Sequence, residues 1–143
     1  MKIEISNQQS KVDCSPQSVR RVLEATLREE GSDANLSVAL VEDGRMLEMN
    51  RRFTGRSDVT DVLAFPYGSD EDGLLHGEIV VNADQALREA TERPHGAEGE
   101  LMLYLVHGLL HLLGYDDHDP EDSRLMRRRE QRALRSAGYD VEY

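Results

Sequence analysis

The chain opens on alternating apolar and polar residues, Lys2-Ile-Glu-Ile-Ser6, a pattern that predicts a short strand. Ser15-Pro16 follows as a helix start, with a capping hydroxyl and a proline at the first helical position. Val19, Val22, Leu23, Thr26 and Leu27 then recur at helical spacing until Gly31, so this helix buries one face. Asn35-Leu-Ser-Val-Ala-Leu-Val41 alternates and then runs apolar, which places it in the middle of a sheet. Asp43 is positioned to cap a short helix carrying Met46, Leu47, Met49 and Asn50, leading to an arginine-rich loop. Val62 to Pro66 reads as a strand closed by its proline, and Tyr67 to Gly73 as a surface loop. Leu75 to Asn82 is the next strand, with Gly77 marking a bulge or a close approach to the backbone. Ala83 to Glu92 predicts a solvent-facing helix that stops before Pro94.

From Gly99 the pattern changes. Leu101 to Leu113 is apolar nearly all round, so the helix it forms belongs at the buried centre of the fold. Asp119-Pro120-Glu-Asp opens a last helix, acidic in its first turn as the helix dipole prefers, and Gly138 ends it. The elements add up to one α/β (α+β) domain over residues 1–143, a small mixed sheet of about four strands packed with helices. No repeat or linker divides it.

The candidate chemistry lies on the central helix. His107 and His111 are four residues apart and share a helix face, so both imidazoles can reach one ion. Gly114 can leave the helix with positive φ and turn the chain so that Asp117 or His118 returns as a third ligand. Three protein ligands with an open position are what a catalytic zinc needs, whereas structural zinc sites are closed and usually use cysteine. Cys14 is the only cysteine. A common zinc peptidase would carry glutamate directly after the first histidine as general base; here that position is Gly108, which leaves metal-bound water as the nucleophile.

Composition narrows the setting. The apolar runs are too short to span a bilayer, the amino terminus lacks the apolar segment of a secretory signal, and the single cysteine excludes an internal disulfide framework. The expected compartment is the cytoplasm. A formal net charge of −11 counts against contact with nucleic acid, yet the cations are almost all arginine, which suits phosphate. Arg51, Arg52 and Arg56 form one group; Arg124, Arg127, Arg128, Arg129, Arg132 and Arg135 form another, read as a solvated helix face paired with Glu121, Asp122 and Glu130.

His107-Gly-Leu-Leu-His111-Leu-Leu-Gly-Tyr-Asp resembles the motif of the YbeY family of metal-dependent endoribonucleases and rRNA maturation factors. Asn50-Arg-Arg-Phe53 with Gly55, followed by Thr60-Asp-Val-Leu-Ala-Phe-Pro66, and Gly77-Glu-Ile-Val-Val81 are similar to two further family blocks, in matching order. Two positions depart from the pattern. Asp117 stands where the family usually has a third histidine, with His118 next to it, and Thr54 stands where it usually has a functional arginine. The resemblance implies a zincin-like site holding one Zn2+ per chain through His107, His111 and Asp117 or His118. Arg52 and Arg56 flank Thr54 and can take over phosphate contact. It implies a single-strand-specific endoribonuclease acting on the 3′ end of 16S rRNA and in ribosome quality control, with rRNA and the ribosome or its small subunit as partners. The alternatives are a non-catalytic, zinc-containing ribosome-associated factor and a zinc peptidase-like hydrolase.

Overall fold

A computed structural model describes every residue from Met1 to Tyr143. Its elements in chain order are β1 (Lys2–Asn7), α1 (Pro16–Glu29), β2 (Ala34–Val41), α2 (Asp43–Thr54), β3 (Val62–Ser69), β4 (Leu75–Asn82), α3 (Ala83–Ala90), α4 (Gly96–Leu112) and α5 (Pro120–Ser136). The four strands form one mixed sheet in the order β1-β2-β4-β3. β1, β2 and β4 run parallel, and β3 lies antiparallel to β4 on the edge. β2 is an interior strand, as its near-continuous burial requires.

Helix α4 contacts β3, β4, α1, α3 and α5. Enclosure on so many sides is why its residues from Gly99 to Val106 are all buried, and why a helix without one polar face is stable here. Two glycines set the distance between α4 and the sheet. A Cβ on Gly108 would lie 2.9 Å from Ile79 Cγ2 and 3.0 Å from Val62 Cγ2, and one on Gly77 would lie 2.7 Å from Leu112 Cδ1. Gly77 therefore marks a close approach; the irregularity in pairing sits opposite it on β3, between Pro66 and Ser69. On the other face, α2 lays Met46 and Met49 against Val41 and Val80, with Leu63 and Phe65 beside them.

The structure corrects several boundaries. Pro66 does not close β3; the strand continues to Ser69, and proline is tolerated because β3 is an edge strand. The turn shrinks to the residues around Asp70–Gly73, where Asp70 Oδ1 accepts from the Asp72 and Leu74 amides. Helix α2 is longer than the pattern implied and includes Arg51 and Arg52, ending at Gly55 with φ 76°. Its N-cap is Glu42; Asp43 instead accepts hydrogen bonds from Asn82 and Arg88, which hold its carboxyl at a pKa of about 2. No helix is long and apolar enough to cross a membrane.

Because the Gly108 contacts are buried, branched methyls that cannot swing away, Gly108→Ala should destabilise the fold by about 1–3 kcal/mol. Urea denaturation checks it, and an unchanged midpoint would contradict this packing.

Candidate metal centre

His107 and His111 lie near the C-terminal end of α4, where the helix emerges from the core, and Gly114 with φ 105° turns the chain back. That turn brings Asp117 to the pair. His107 Nε2 lies 3.1 Å from His111 Nε2 and 3.6 Å from Asp117 Oδ2, and His111 Nε2 lies 3.8 Å from Asp117 Oδ1. A tetrahedral zinc with arms of about 2.0–2.1 Å sets its ligand atoms roughly 3.3–3.4 Å apart. The three atoms already stand near that spacing, and side chains that each expose about a third of their surface leave one direction open. His118 is not part of this group: it is 83% exposed and turned to Asp116, 2.9 Å away.

Glu130 fixes the arrangement from behind. Its buried carboxylate accepts a hydrogen bond from His107 Nδ1 at 2.7 Å and another from the Tyr143 hydroxyl at 2.8 Å. With Nδ1 carrying the proton, the Nε2 lone pair of a neutral His107 faces His111 and Asp117, as a metal requires. Burial disfavours the imidazolium of His107, but the hydrogen bond and charge of Glu130, with Asp117 and Asp61 nearby, outweigh it and hold its pKa above the ordinary value. The charge pattern of α5 places Glu130 among surface partners for arginines, whereas the structure buries it. Its place in the apolar stripe of α5, with Met126, Ala133 and Leu134, is the feature that marks it as buried. Two of the α5 arginines pair with the end of α1 instead: Arg132 with Glu29 at 2.7 Å and Arg129 with the C-cap residue Glu30 at 3.9 Å.

A cleft of about 520 Å³ opens beside His107 and Asp117. Its cations are Arg93 and Arg127; Arg52 and Arg56 do not line it. Arg93 is tied to the buried Glu100 at 3.3 Å, which His95 also contacts at 2.5 Å. Arg127 has no carboxylate partner and stands over the Tyr143 ring, 5.4 Å from its centre. The Tyr104 hydroxyl is buried in the cleft wall without a hydrogen-bond partner. The opposite wall, Val59 to Asp61, is fixed by Asn82, whose side chain donates to the Thr60 carbonyl at 3.2 Å and whose amide donates to that of Asp61 at 2.9 Å. Thr54 does not line the cleft; its hydroxyl lies 2.6 Å from both the backbone carbonyl and the Oδ1 of Asn50. His76 is at the surface and contacts Asp70.

A mixed α/β sheet with a histidine pair on its buried central helix and a carboxylate returned by the following turn defines the class: a small α/β protein with a ligand cluster of metallohydrolase type. A family model described as Endoribonuclease YbeY matches residues 3–138. An Endoribonuclease YbeY from Carboxydothermus hydrogenoformans is 36% identical over 140 residues, covering 96% of this chain and 98% of that protein. One from an Anaeromyxobacter species is 43% identical over 108 residues, covering 75% of this chain and 56% of the longer relative. The solution structure of TM1509 from Thermotoga maritima superposes with a TM-score of 0.69 at 29% identity, covering 94% of this chain and 88% of that one. The chain belongs to the YbeY family.

A metal on these atoms competes with protons for His107. Its raised pKa means that zinc affinity falls as pH drops through that raised value, at a higher pH than for an unperturbed histidine. Glu130→Gln should weaken zinc about 10–100-fold at neutral pH and move the acid loss to lower pH. Competition titration with a chelating indicator checks both, and equal affinity in the variant would contradict the role of Glu130.

Proposed function

We propose that this chain is a metal-dependent endoribonuclease for single-stranded RNA. In this reading it acts in the cytoplasm on the 3′ end of 16S rRNA and in ribosome quality control, with rRNA and the small ribosomal subunit as partners. The observation that carries the reading is the His107, His111 and Asp117 triangle at the edge of a cleft, in a chain of the YbeY family. One Zn2+ per chain fits these three ligands, and when bound it lowers the pKa of a water and polarises a phosphoryl oxygen.

The chain's own residues prepare the site for that chemistry. Glu130 keeps the His107 tautomer and ring orientation fixed. The cleft also contains Asp61, Glu89, Glu100, Asp117 and Glu130, so its walls repel a polyanion unless cations offset them. Arg127, free of any carboxylate, is the side chain suited to take a phosphate there. The peptidase alternative lacks support for a steric reason: Gly108 occupies the place of the missing base, and the sheet leaves no room there for a Cβ.

The test is cleavage of a single-stranded ribosomal RNA fragment by zinc-loaded protein. His111→Ala and Asp117→Ala should each lower the rate by more than about 100-fold, and chelation should stop it, while His118→Ala should leave it unchanged. Absence of cleavage by folded, zinc-loaded protein would reject the nuclease reading and favour the non-catalytic ribosome-associated factor.

A further inference from the structure

The sequence contains two phenylalanines. They stand side by side, with ring centres 5.4 Å apart, at the edge of the cluster that α2 buries. Phe53, at the end of α2, is 58% exposed, and Phe65 on the edge strand β3 is half-buried beside it. Tyr67, two residues along β3, is 65% exposed, and its hydroxyl donates at 3.2 Å to Glu78, the cross-strand partner of Phe65. An exposed Phe53 has a cost that the fold does not need, since the sheet, Phe65 and α2 already bury Met46, Met49 and Val80 without it.

The charge beside these rings is divided: Glu78 stands on the Tyr67 side, across from Phe65, whereas the end of α2 beside Phe53 is cationic. In a protein of net charge −11, Arg51, Arg52 and Arg56 are all exposed on or next to the end of α2. Arg52 lies over the Phe53 ring, 5.6 Å from its centre, and neither Arg51 nor Arg52 has a carboxylate partner; Arg56 makes one exposed pair, with Asp58 at 3.4 Å. The base of the surface is rigid: Asn50, 2% exposed, donates to the Asp58 carbonyl at 2.8 Å, and Thr54 is held against Asn50. The segment 55–61 then leads from these residues to Val59, Thr60 and Asp61 in the wall of the cleft.

We propose that Phe53, Phe65 and Tyr67, with Arg51, Arg52 and Arg56, form a stacking platform for single-stranded RNA that lies outside the cleft and holds the strand flanking the segment being cut. Exposed rings accept bases of any sequence on their faces, and the unpaired guanidinium groups of Arg51 and Arg52 take the phosphates between those bases, with Arg56 beside them. Charge complementarity favours this polyanion over a second copy of the chain or an acidic protein segment lacking bases, because both rings and phosphate-directed cations are present together. Residues 55–61 join the two surfaces along the chain, since Val59, Thr60 and Asp61 line the cleft. The arginines of α2 thus contact the substrate away from the reacting phosphate, while Arg127 serves inside.

The proposal rests on the nuclease reading, and the experiment separates the two. Zinc-loaded protein is titrated into fluorescently labelled 2′-O-methyl oligoadenylates of about four and about fifteen nucleotides, the shorter filling the cleft alone and the longer reaching the platform. Cleavage of the corresponding RNAs is measured in parallel. Phe53→Ala should weaken binding of the long oligonucleotide about tenfold, Phe53→Tyr should restore it, and Arg52→Ala should weaken it while lowering the slope of log affinity against log salt by about one. Neither binding nor cleavage of the short substrate should change. Unchanged binding of the long oligonucleotide by Phe53→Ala and Arg52→Ala would overturn the platform even if the wild type cuts RNA. Platform-dependent binding without cleavage would retain it and reject the nuclease. Wild-type self-association abolished by Phe53→Ala, with RNA binding intact, would overturn it in favour of a contact between copies.

Discussion

Everything at the candidate centre depends on how tightly α4 is held against the sheet. The helix has no polar face to spare, so it is stable only when enclosed, and the missing side chains of Gly108 and Gly77 let it sit at the distance that enclosure demands. His107 and His111 lie at the end where it emerges, and they inherit its rigidity. Ligands mounted on such an element cost little to order when an ion binds, because their backbone is already fixed. The same packing explains why the position after His107 is glycine, since a Cβ there would meet Ile79 and Val62.

Rigid backbone alone does not orient an imidazole ring. Orientation comes from α5, which carries Glu130 into the core to accept the His107 proton. A buried carboxylate is costly unless hydrogen-bonded, and the Tyr143 hydroxyl satisfies its second oxygen. Asn82 and Asn50 do comparable work for the opposite wall: both are buried, and both spend their side chains on holding backbone of the loop that joins α2 to β3. Helix, carboxylate and loop meet at the cleft from three separate stretches of sequence, which is how a small, acidic chain concentrates a few directed polar groups in one place.

The elements of the fold were legible because their burial is one-sided or complete, and each pattern has its own period. The course of β3 was not, since Pro66 reads as a stop unless one knows that the strand lies at an edge, and edge position is a property of the sheet's topology. His107 and His111 could be paired from spacing along one helix. The return of Asp117 rather than His118 to that pair could not, because it turns on the path taken after Gly114. Glu130, Arg93 and Arg127 escaped a reading of local charge, since their partners come from other elements and an α5 rich in arginine resembles a solvated face. Arg52 and Arg56 are close in sequence, but only the three-dimensional arrangement shows that they do not line the cleft and that Arg52 lies over the exposed Phe53 ring.

The central claim is that one ion is held by two histidines and an aspartate. X-ray absorption at the zinc edge of the zinc-loaded protein counts those ligands directly. The account predicts two imidazoles with the remaining positions oxygen, at about 2.0–2.2 Å, and the same spectrum from His118→Ala. A spectrum with three imidazoles that drops to two in His118→Ala would contradict it, and so would one in which His111→Ala changes nothing.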